Sequence, residues 1–213
     1  MSKVRFSITM SIDGYIAGPN QSLENPLGEG GEQLHEWALA LEAWRRPHGL
    51  EGGEANESTA VMEATQENVG AYLMGRNMFG GGPGAWGDDP WNGWWGDDPP
   101  FGAPVFVVTH HARDPLELQG GTTFAFVTEG VEAALERARA TAGDRDVLIC
   151  GGASIVGQCL DAGQVDEFTV SIAPLLLGGG TPLFAGRSQT ERLEEIGVIQ
   201  APGVAHVTYR VGR

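Results

Sequence analysis

The chain has little cysteine and lacks the spacings of common metal sites. Its 213 residues include two cysteines, too few for a disulfide framework. Cys150 ends an apolar run and Cys159 lies in the helix-like segment after it, so we expect both to be small core residues. Neither H-E-x-x-H nor C-x-x-C occurs, and the sequence therefore predicts no metal site.

Positive charge is also scarce. Thirteen Lys plus Arg oppose 28 Asp plus Glu, which gives a net charge of −15. Such an acidic chain is a poor partner for nucleic acid, because phosphate contacts need clustered Lys and Arg. Any anionic ligand must be held by a local positive site, since the overall field repels it.

Long apolar runs are absent as well. None approaches 18 residues, and the N-terminal residues Met1–Phe6 carry neither an apolar region nor a cleavage signal. We therefore expect a cytoplasmic protein with no membrane partner.

Strand-like and helix-like segments alternate along the chain, which predicts an α/β fold. Val4–Met10 reads as the first strand, and 31–46 as a helix that Pro47 ends. Ser58 is the predicted N-cap of a second helix that runs to about Val69. Further strands are predicted at 71–74, 105–109, 123–127, 146–150, 165–173, 193–200 and 205–211, and the last two should form an antiparallel pair joined at Pro202-Gly203. A further helix is predicted from Val131 to about Ala142. The expected architecture is three-layered, with a mixed, mainly parallel sheet in one domain over residues 1–213.

A segment rich in glycine and tryptophan interrupts this pattern at about residues 80–104. It contains Gly80-Gly81-Gly82-Pro83-Gly84 and four tryptophans, Trp86, Trp91, Trp94 and Trp95. A loop of this length inside a compact domain is usually functional or disordered. Disordered tracts are poor in aromatic residues, so we expect an ordered lid or an interface loop.

The apolar run Val147–Cys150 stops at Gly151-Gly152, and a helix-like segment follows. Paired glycines let a ligand approach the backbone at a helix N-terminus, where N–H groups and the helix dipole favour a phosphate. The alternative is an ordinary tight turn between a strand and a helix. The pattern matches neither G-x-G-x-x-G nor the Walker loop.

Two other predicted strands also end in polar residues. One is followed by Gly75-Arg76-Asn77 and the other by Thr109-His110-His111-Ala112-Arg113. In open α/β sheets, ligands bind beyond the carboxyl ends of the strands. Arg76 can direct two N–H donors at a phosphate; a surface ion pair is the alternative. Adjacent histidines point to opposite sides of an extended chain, which favours a nucleotide contact by one of them over a shared metal.

Five motifs in this order resemble the dihydrofolate-reductase-like superfamily, in particular the reductase (C-terminal) domain of the riboflavin-pathway deaminase/reductase. They are Ser11–Ala17, Leu73–Phe79, Val107–His110, Ile149–Ser154 and Leu176–Phe184.

The resemblance implies an NADPH-dependent reductase with a mixed, mainly parallel eight-stranded sheet that forms a homodimer, with 175–177 and exposed tryptophans as candidate surfaces. It implies a pyrophosphate site with a cis peptide between its two glycines, at Gly151, Gly152, Ala153, Ser154 and Ile155. The adenosine side would contact Gly75, Arg76, Asn77 and Met78, with Arg76 at the 2′-phosphate. Thr109 and His110 would border the adenine ribose, and Ile16 and Ala17 the nicotinamide.

The implied chemistry is hydride transfer from the cofactor to a C=N or C=O carbon of a small-molecule substrate. Asp13 is the candidate for substrate anchoring or proton handling, and Tyr15 is a weaker candidate for proton donation. The alternative for Asp13 is a turn aspartate that only supports the Asp-Gly geometry.

The chain departs from the riboflavin-pathway pattern at its first strand, where Ile8, Thr9 and Met10 stand in place of a lysine. The zinc signature of the deaminase domain is also missing. We therefore expect an NADPH-dependent reductase of an unidentified small molecule, and the tryptophan-rich segment favours a flat, uncharged heteroaromatic substrate. The alternatives are a 5-amino-6-(5-phosphoribosylamino)uracil reductase and a non-catalytic NADP-binding protein that engages a protein partner through its tryptophans.

Overall fold

The computed structural model describes residues 2–88, 91–187 and 190–212. The chain forms two compact units, and neither is continuous in sequence. The first unit combines Met1–Arg5 with Asn68–Val165, and the second combines Phe6–Glu67 with Asp166–Arg213. The organisation as one domain stays a prediction.

Eleven strands and six α-helices occur in the described residues. The strands are β1 (Val4–Ser11), β2 (Tyr15–Ala17), β3 (Val69–Gly75), β4 (Pro104–Val108), β5 (Leu116–Glu117), β6 (Thr123–Val127), β7 (Asp146–Gly151), β8 (Glu167–Ala173), β9 (Thr181–Pro182), β10 (Leu193–Ala201) and β11 (Val204–Val211). The helices are α1 (Glu36–Leu39), α2 (Glu42–Arg45), α3 (Glu57–Gln66), α4 (Arg76–Phe79), α5 (Val131–Ala142) and α6 (Ala153–Asp161). No helix in the described ranges has the length and apolar character needed to span a membrane.

The first unit is built around parallel strands in the order β7, β3, β4, β6, with the short β5 antiparallel at the edge. All seven residues of β3 are buried, as expected for a central strand of a parallel sheet that is covered on both faces. Helix α5 packs against β3 and β4. Its buried residues recur at helical spacing and are Val131, Ala134, Leu135, Ala138 and Ala142.

The second unit contains strands in the order β10, β11, β8 and the later part of β1, and β11 is antiparallel to both of its neighbours. The hairpin between β10 and β11 turns at 202–203, as predicted. Strands β2 and β9 form a separate antiparallel pair. The α/β class and the mixed sheet are confirmed.

The predicted continuous helix over 31–46 is wrong. The segment forms a 3₁₀ turn at Gly31–His35, then α1 and α2, separated at Leu41, whose ψ of 137° is extended. Glu54 explains the break, because its N–H donates to Ala40 (2.8 Å) and its carbonyl accepts from Glu42 (2.9 Å). Pro47 does not end the segment either, since it lies inside a further 3₁₀ turn at Arg46–His48. A non-local backbone pairing has therefore overridden the helical spacing.

Helix α3 begins two residues earlier than predicted. Asn56 is its N-cap and its side chain accepts from the Ser58 N–H at 2.9 Å, with Thr59 completing a capping box. The helix ends at Gln66, short of the predicted Val69, because Val69 belongs to β3. Ser58, the predicted cap, is instead buried.

Ser58 belongs to a buried polar network in the second unit. His206 is 2% exposed, and its two ring nitrogens lie 2.9 Å from Ser58 Oγ and 2.8 Å from Ser171 Oγ. The ring of Trp37 packs edge-on against it, with the centroids 4.9 Å apart. Burial lowers the pKa of His206, since a charged imidazolium is poorly solvated there. The network is satisfied by a neutral histidine.

This network predicts a loss of stability in mild acid. The pKa of His206 is lower in the folded chain than the ordinary value of about 6.5. Its contribution to stability is thus complete above about pH 6.5 and is lost as the pH falls from there towards the folded pKa. The free energy of unfolding, measured with urea at pH 7.5 and 5.5, should fall on acidification.

His206→Gln should lower the free energy of unfolding at pH 7.5 by about 1–3 kcal/mol, since it leaves a buried serine without its partner. The free energy of unfolding of this variant should also depend less steeply on pH than that of the wild type. The matched control is His48→Gln, at an exposed histidine that stacks on Trp44, and it should keep the wild-type dependence. If the free energy of unfolding of His206→Gln depended on pH as steeply as that of the wild type, His206 would not be the group that causes the loss of stability in acid.

Candidate functional site

Three strand ends of the first unit meet at one edge of the parallel sheet. In the register, Gly75 at the end of β3 pairs with Val108 at the end of β4, and Met74 pairs with Gly151 at the end of β7. The segments that follow these strands are the three that the sequence singled out. Parallel pairing thus brings Gly75, Thr109 and Gly151 together.

The turn from β7 into α6 presents open backbone. The Gly151–Gly152 peptide is cis, as the resemblance implied, and Gly151 has a φ of 129°. Gly152 is the N-cap of α6, and no side chain caps the helix. A Cβ built on Gly152 would meet no heavy atom within 4 Å. An uncapped helix start beside open space suits a phosphate or pyrophosphate.

Gly75 lets α6 approach β3 closely. A Cβ built on Gly75 would lie 2.9 Å from Cγ1 of Ile155, which is tighter than packed atoms tolerate. Ile155 itself is buried, whereas Ser154 is exposed and its Oγ accepts a hydrogen bond from Gln158 at 3.1 Å. The start of α6 therefore has an apolar anchor beneath it and a hydroxyl at its surface.

Arg76 starts the short helix α4 and is folded against the segment that follows. Its Nε donates to the Gly80 carbonyl (3.0 Å) and one terminal nitrogen donates to the Gly81 carbonyl (3.2 Å). The guanidinium carbon lies 3.1 Å from the ring centroid of Trp86. The other terminal nitrogen is buried and has no hydrogen-bond partner among the described residues. Burial, with the nearby Arg113, lowers the pKa of Arg76. The alternative of a surface ion pair is not found within the described ranges.

The tryptophan segment (residues 80–104, described at 80–88 and 91–104) is ordered by its indole N–H groups. Trp86 donates to the His111 carbonyl (2.9 Å), Trp91 to that of Phe79 (3.0 Å) and Trp94 to that of Met78 (3.0 Å). The ring of Trp95 stacks on Phe124 and meets Phe101 edge-on. Two of these acceptors are the last two residues of α4, so the segment folds back onto the strand-end edge.

The strand end after β4 holds the second set of predicted residues. Thr109 is 5% exposed; its N–H donates to the Val127 carbonyl (3.0 Å) and its Oγ1 accepts from the His111 N–H (3.2 Å). His110 is exposed and His111 is half-buried. Thr109 thus shapes the turn and leaves the His110 ring facing solvent.

Arg113 lies with Arg76 against the ring of Trp86, and the sequence reasoning did not single it out. Its terminal nitrogens donate to the Trp91 carbonyl (2.5 Å) and to Asn92 Oδ1 (2.6 Å). Its guanidinium carbon lies 4.9 Å from the Trp86 ring centroid and 5.0 Å from that of Phe126. The one available signal was its place after a strand end in a chain with few cations.

The other two predicted adenosine-side residues differ in exposure. Asn77 is exposed, whereas Met78 is half-buried, packs on the apolar core and accepts the Trp94 indole N–H with its carbonyl. A contact of either residue with a cofactor stays a prediction.

Asp13, in the second unit, accepts three hydrogen bonds. Oδ1 receives the Ser11 hydroxyl (2.5 Å) and the Leu177 N–H (3.1 Å), and Oδ2 receives the Gly178 N–H (2.7 Å). The Ser11 hydroxyl and the backbone donors lower the pKa of Asp13. The side chain is therefore an exposed, ionised carboxylate that ties its turn to the glycine-rich bend.

The predicted nicotinamide-side residues lie on β2. Tyr15 pairs with Pro182 and Ala17 with Thr181 of β9. Ala17 is buried, and a Cβ built on Gly180 would come within 2.0 Å of its carbonyl oxygen. Gly180 is thus required for this close approach of the two backbones. The roles of Tyr15, Ile16 and Ala17 towards a ligand stay predictions.

Within the described ranges, no three His, Cys, Asp or Glu side chains cluster in a way that could hold a metal ion. Burial raises the pKa of Cys150 and of Cys159 to about 12. Both thiols therefore stay protonated near neutral pH, as expected of packing residues.

Comparison with solved structures supports the fold. A putative riboflavin biosynthesis protein from Shewanella sp. PV-4 is 21% identical, with 99% of each chain covered and a TM-score of 0.60. The deaminase/5-amino-6-(5-phosphoribosylamino)uracil reductase of Thermotoga maritima is 16% identical over 99% of this chain and 57% of its own, with a TM-score of 0.58. The dihydrofolate reductase of Enterococcus faecalis, complexed with NADP(H), is 12% identical over 99% and 97%, with a TM-score of 0.52.

Two curated relatives from Bacillus subtilis match in sequence. YyaP is 36% identical over 66 residues and YwjB is 36% identical over 59 residues. The chain spans 35% and 33% of their respective lengths. The model of the RibD C-terminal domain matches residues 2–206, which is nearly the whole chain. The chain, with the paired glycines and Arg76 at its strand-end edge, therefore belongs to the RibD C-terminal domain family.

Proposed function

We propose that this chain is an NADPH-dependent reductase that transfers hydride to a C=N or C=O carbon of a small molecule. The observation that carries this is the convergence of the open Gly151–Gly152 turn, the uncapped start of α6 and Arg76 at one edge of a parallel sheet. Family membership adds support, since solved structures of the same fold include a uracil reductase and an NADP(H)-complexed dihydrofolate reductase.

The donors at the strand-end edge fit the anionic parts of this cofactor. The backbone N–H groups at the start of α6, with the Ser154 hydroxyl, would hold the pyrophosphate. The unpartnered terminal nitrogen of Arg76 would donate to the 2′-phosphate. Thr109 and His110 would border the adenine ribose. When bound, NADPH would supply the hydride.

Asp13 would position the substrate rather than donate a proton. A carboxylate has about four lone-pair sites, and three of those on Asp13 are used by Ser11, Leu177 and Gly178. One acceptor site on an exposed, ionised group remains for an N–H or O–H of the substrate. Tyr15 lies two residues after Asp13 in the sequence, and its phenol is the candidate for proton donation.

The first strand narrows the substrate class. Ile8, Thr9 and Met10 stand where riboflavin-pathway reductases carry a lysine, and Thr9 is buried. A phosphorylated ribityl substrate would need such a cation. We therefore propose a small substrate without a phosphate. If the chain were the pyrimidine reductase of riboflavin synthesis, it would rescue a reductase-deficient auxotroph.

The direct test is a titration with NADPH and NADH, followed by a screen for carbonyl and imine compounds that increase NADPH oxidation. We expect NADPH to bind more tightly and at least one compound to be reduced. Failure to bind either nucleotide would overturn the proposal. Binding without turnover of any compound would favour a non-catalytic nucleotide-binding protein.

Arg76→Ala should weaken the binding of NADPH by about tenfold or more, since it removes a charge-assisted contact to the 2′-phosphate. NADH, which lacks that phosphate, should bind within about twofold of the wild type. The measurement is a fluorescence or calorimetric titration with both nucleotides. Equal losses would show that Arg76 acts only through the fold of the tryptophan segment.

Asp13→Asn should leave NADPH affinity within about twofold while turnover of a true substrate falls by at least about tenfold. The amide has a single acceptor oxygen, so it cannot keep the carboxylate bonds and also bind the substrate. Steady-state kinetics with the compound from the screen measure the effect. The control Glu132→Gln removes the same charge from an exposed position on α5. Unaltered turnover in Asp13→Asn would support a turn-only role.

A further inference from the structure

Two arginines lie against the ring of Trp86. The guanidinium carbons of Arg76 and Arg113 are 3.1 Å and 4.9 Å from its ring centroid. Each is within the distance at which a cation is attracted to an aromatic face. Trp86 is itself held by its N–H bond to the His111 carbonyl. One anchored indole therefore positions both cations.

The two cations have no counter-charge among the described residues. Within the part of the chain that the structure describes, the side-chain hydrogen bonds of both residues end on neutral acceptors, namely the carbonyls of Gly80, Gly81 and Trp91 and the amide of Asn92. One terminal nitrogen of Arg76 is buried and donates to no described residue. The chain has a net charge of −15, so two neighbouring arginines that pair with no described carboxylate are unexpected. Two positive charges held against one ring repel each other unless an anion offsets them.

Glycines make this arrangement possible. A Cβ on Gly80 would lie 2.7 Å from the Trp94 ring, and one on Gly81 would lie 2.7 Å from Cβ of Trp91. Both residues have positive φ, 90° and 83°, a region that favours glycine. The carbonyls that orient Arg76 thus come from a turn built to fit against the tryptophans.

We propose that Arg113 is a second determinant of cofactor specificity, which grips a phosphate monoester together with Arg76, and that Trp86 sets the spacing of the two. The inference rests on the proposed NADPH function. A phosphate monoester carries about −1.5 to −2 charges near neutral pH, so it matches two guanidinium groups. NADH has a neutral hydroxyl at that position and gains nothing from the pair.

The test measures the affinities of NADP⁺ and NAD⁺, with 2′,5′-ADP and 5′-AMP as fragment probes, for three variants. Arg113→Gln should lower the affinities for NADP⁺ and 2′,5′-ADP by about tenfold. The affinities for NAD⁺ and 5′-AMP should stay within about twofold of the wild-type values. Trp86→Leu should cause a similar selective loss although both arginines remain. Trp86→Phe, which keeps an aromatic face, should retain most of the preference.

Arg210→Gln is the matched control. It removes the same charge at an exposed position where Arg210 pairs with Glu194, and it should leave all four affinities unchanged. Circular dichroism and thermal unfolding of each variant check that the fold is retained. The preference of the wild type for NADP⁺ should also weaken as ionic strength rises.

The outcomes separate this inference from the proposed function. If the wild type prefers NADP⁺ and Arg113→Gln keeps that preference, the role of Arg113 is wrong while the reductase proposal stands. If Arg113→Gln weakens NADP⁺ and NAD⁺ equally, Arg113 only supports the tryptophan segment and the inference fails. If the wild type binds none of the four probes, both proposals fail together.

Discussion

The parallel pairing of β3 with β4 and β7 is the constraint on which the candidate site depends. Because parallel strands end at the same edge of a sheet, their register puts Gly75 beside Val108 and Met74 beside Gly151. Segments that are far apart in sequence then supply a backbone turn, a hydroxyl and a guanidinium to one place. The completely buried β3 gives this edge a rigid base, since a strand covered on both faces has little freedom to shift.

The tryptophan segment adds a second layer to that edge. Three indole N–H groups bond to main-chain carbonyls, two of them in α4. Such bonds let large apolar rings be packed without leaving a polar atom unsatisfied. The same segment surrounds Arg76 and Arg113 with rings and neutral acceptors, which leaves their charge available to a ligand. Order in the segment and chemistry at the edge thus depend on the same contacts.

The contacts of Asp13 bear on both roles that the sequence left open. It belongs to the Asp-Gly turn, where Gly14 has a φ of 88°, and its carboxylate also binds the N–H groups of Leu177 and Gly178. The hydrogen bonds that make it a structural clamp also keep it ionised. A clamp of this kind favours binding a donor on the substrate and disfavours acid catalysis.

Local patterns in the sequence were sufficient wherever a short-range signal decides the structure. The apolar run before Gly151-Gly152, the helical spacing of Val131–Ala142 and the hairpin at 202–203 all predicted their elements, because period and turn chemistry act within a few residues. The five motifs also indicated the family, and the match over residues 2–206 confirms it. Local patterns failed where a residue distant in sequence forms a competing contact. Glu54 breaks the helix expected over 31–46, and His206 draws Ser58 into the core.

The tertiary structure alone decided which cations and rings come together. The sequence showed that positive charge is scarce and that four tryptophans lie close together, but not that Arg76 and Arg113 both lie against the ring of Trp86. That contact joins residues 76, 86 and 113 across two loops, so no short-range pattern encodes it. The sequence by itself determined a phosphate-suited turn, a reductase-like family and an acidic chain. Folding decided where its few positive charges would be held, because only packing across the sheet edge brings those loops together.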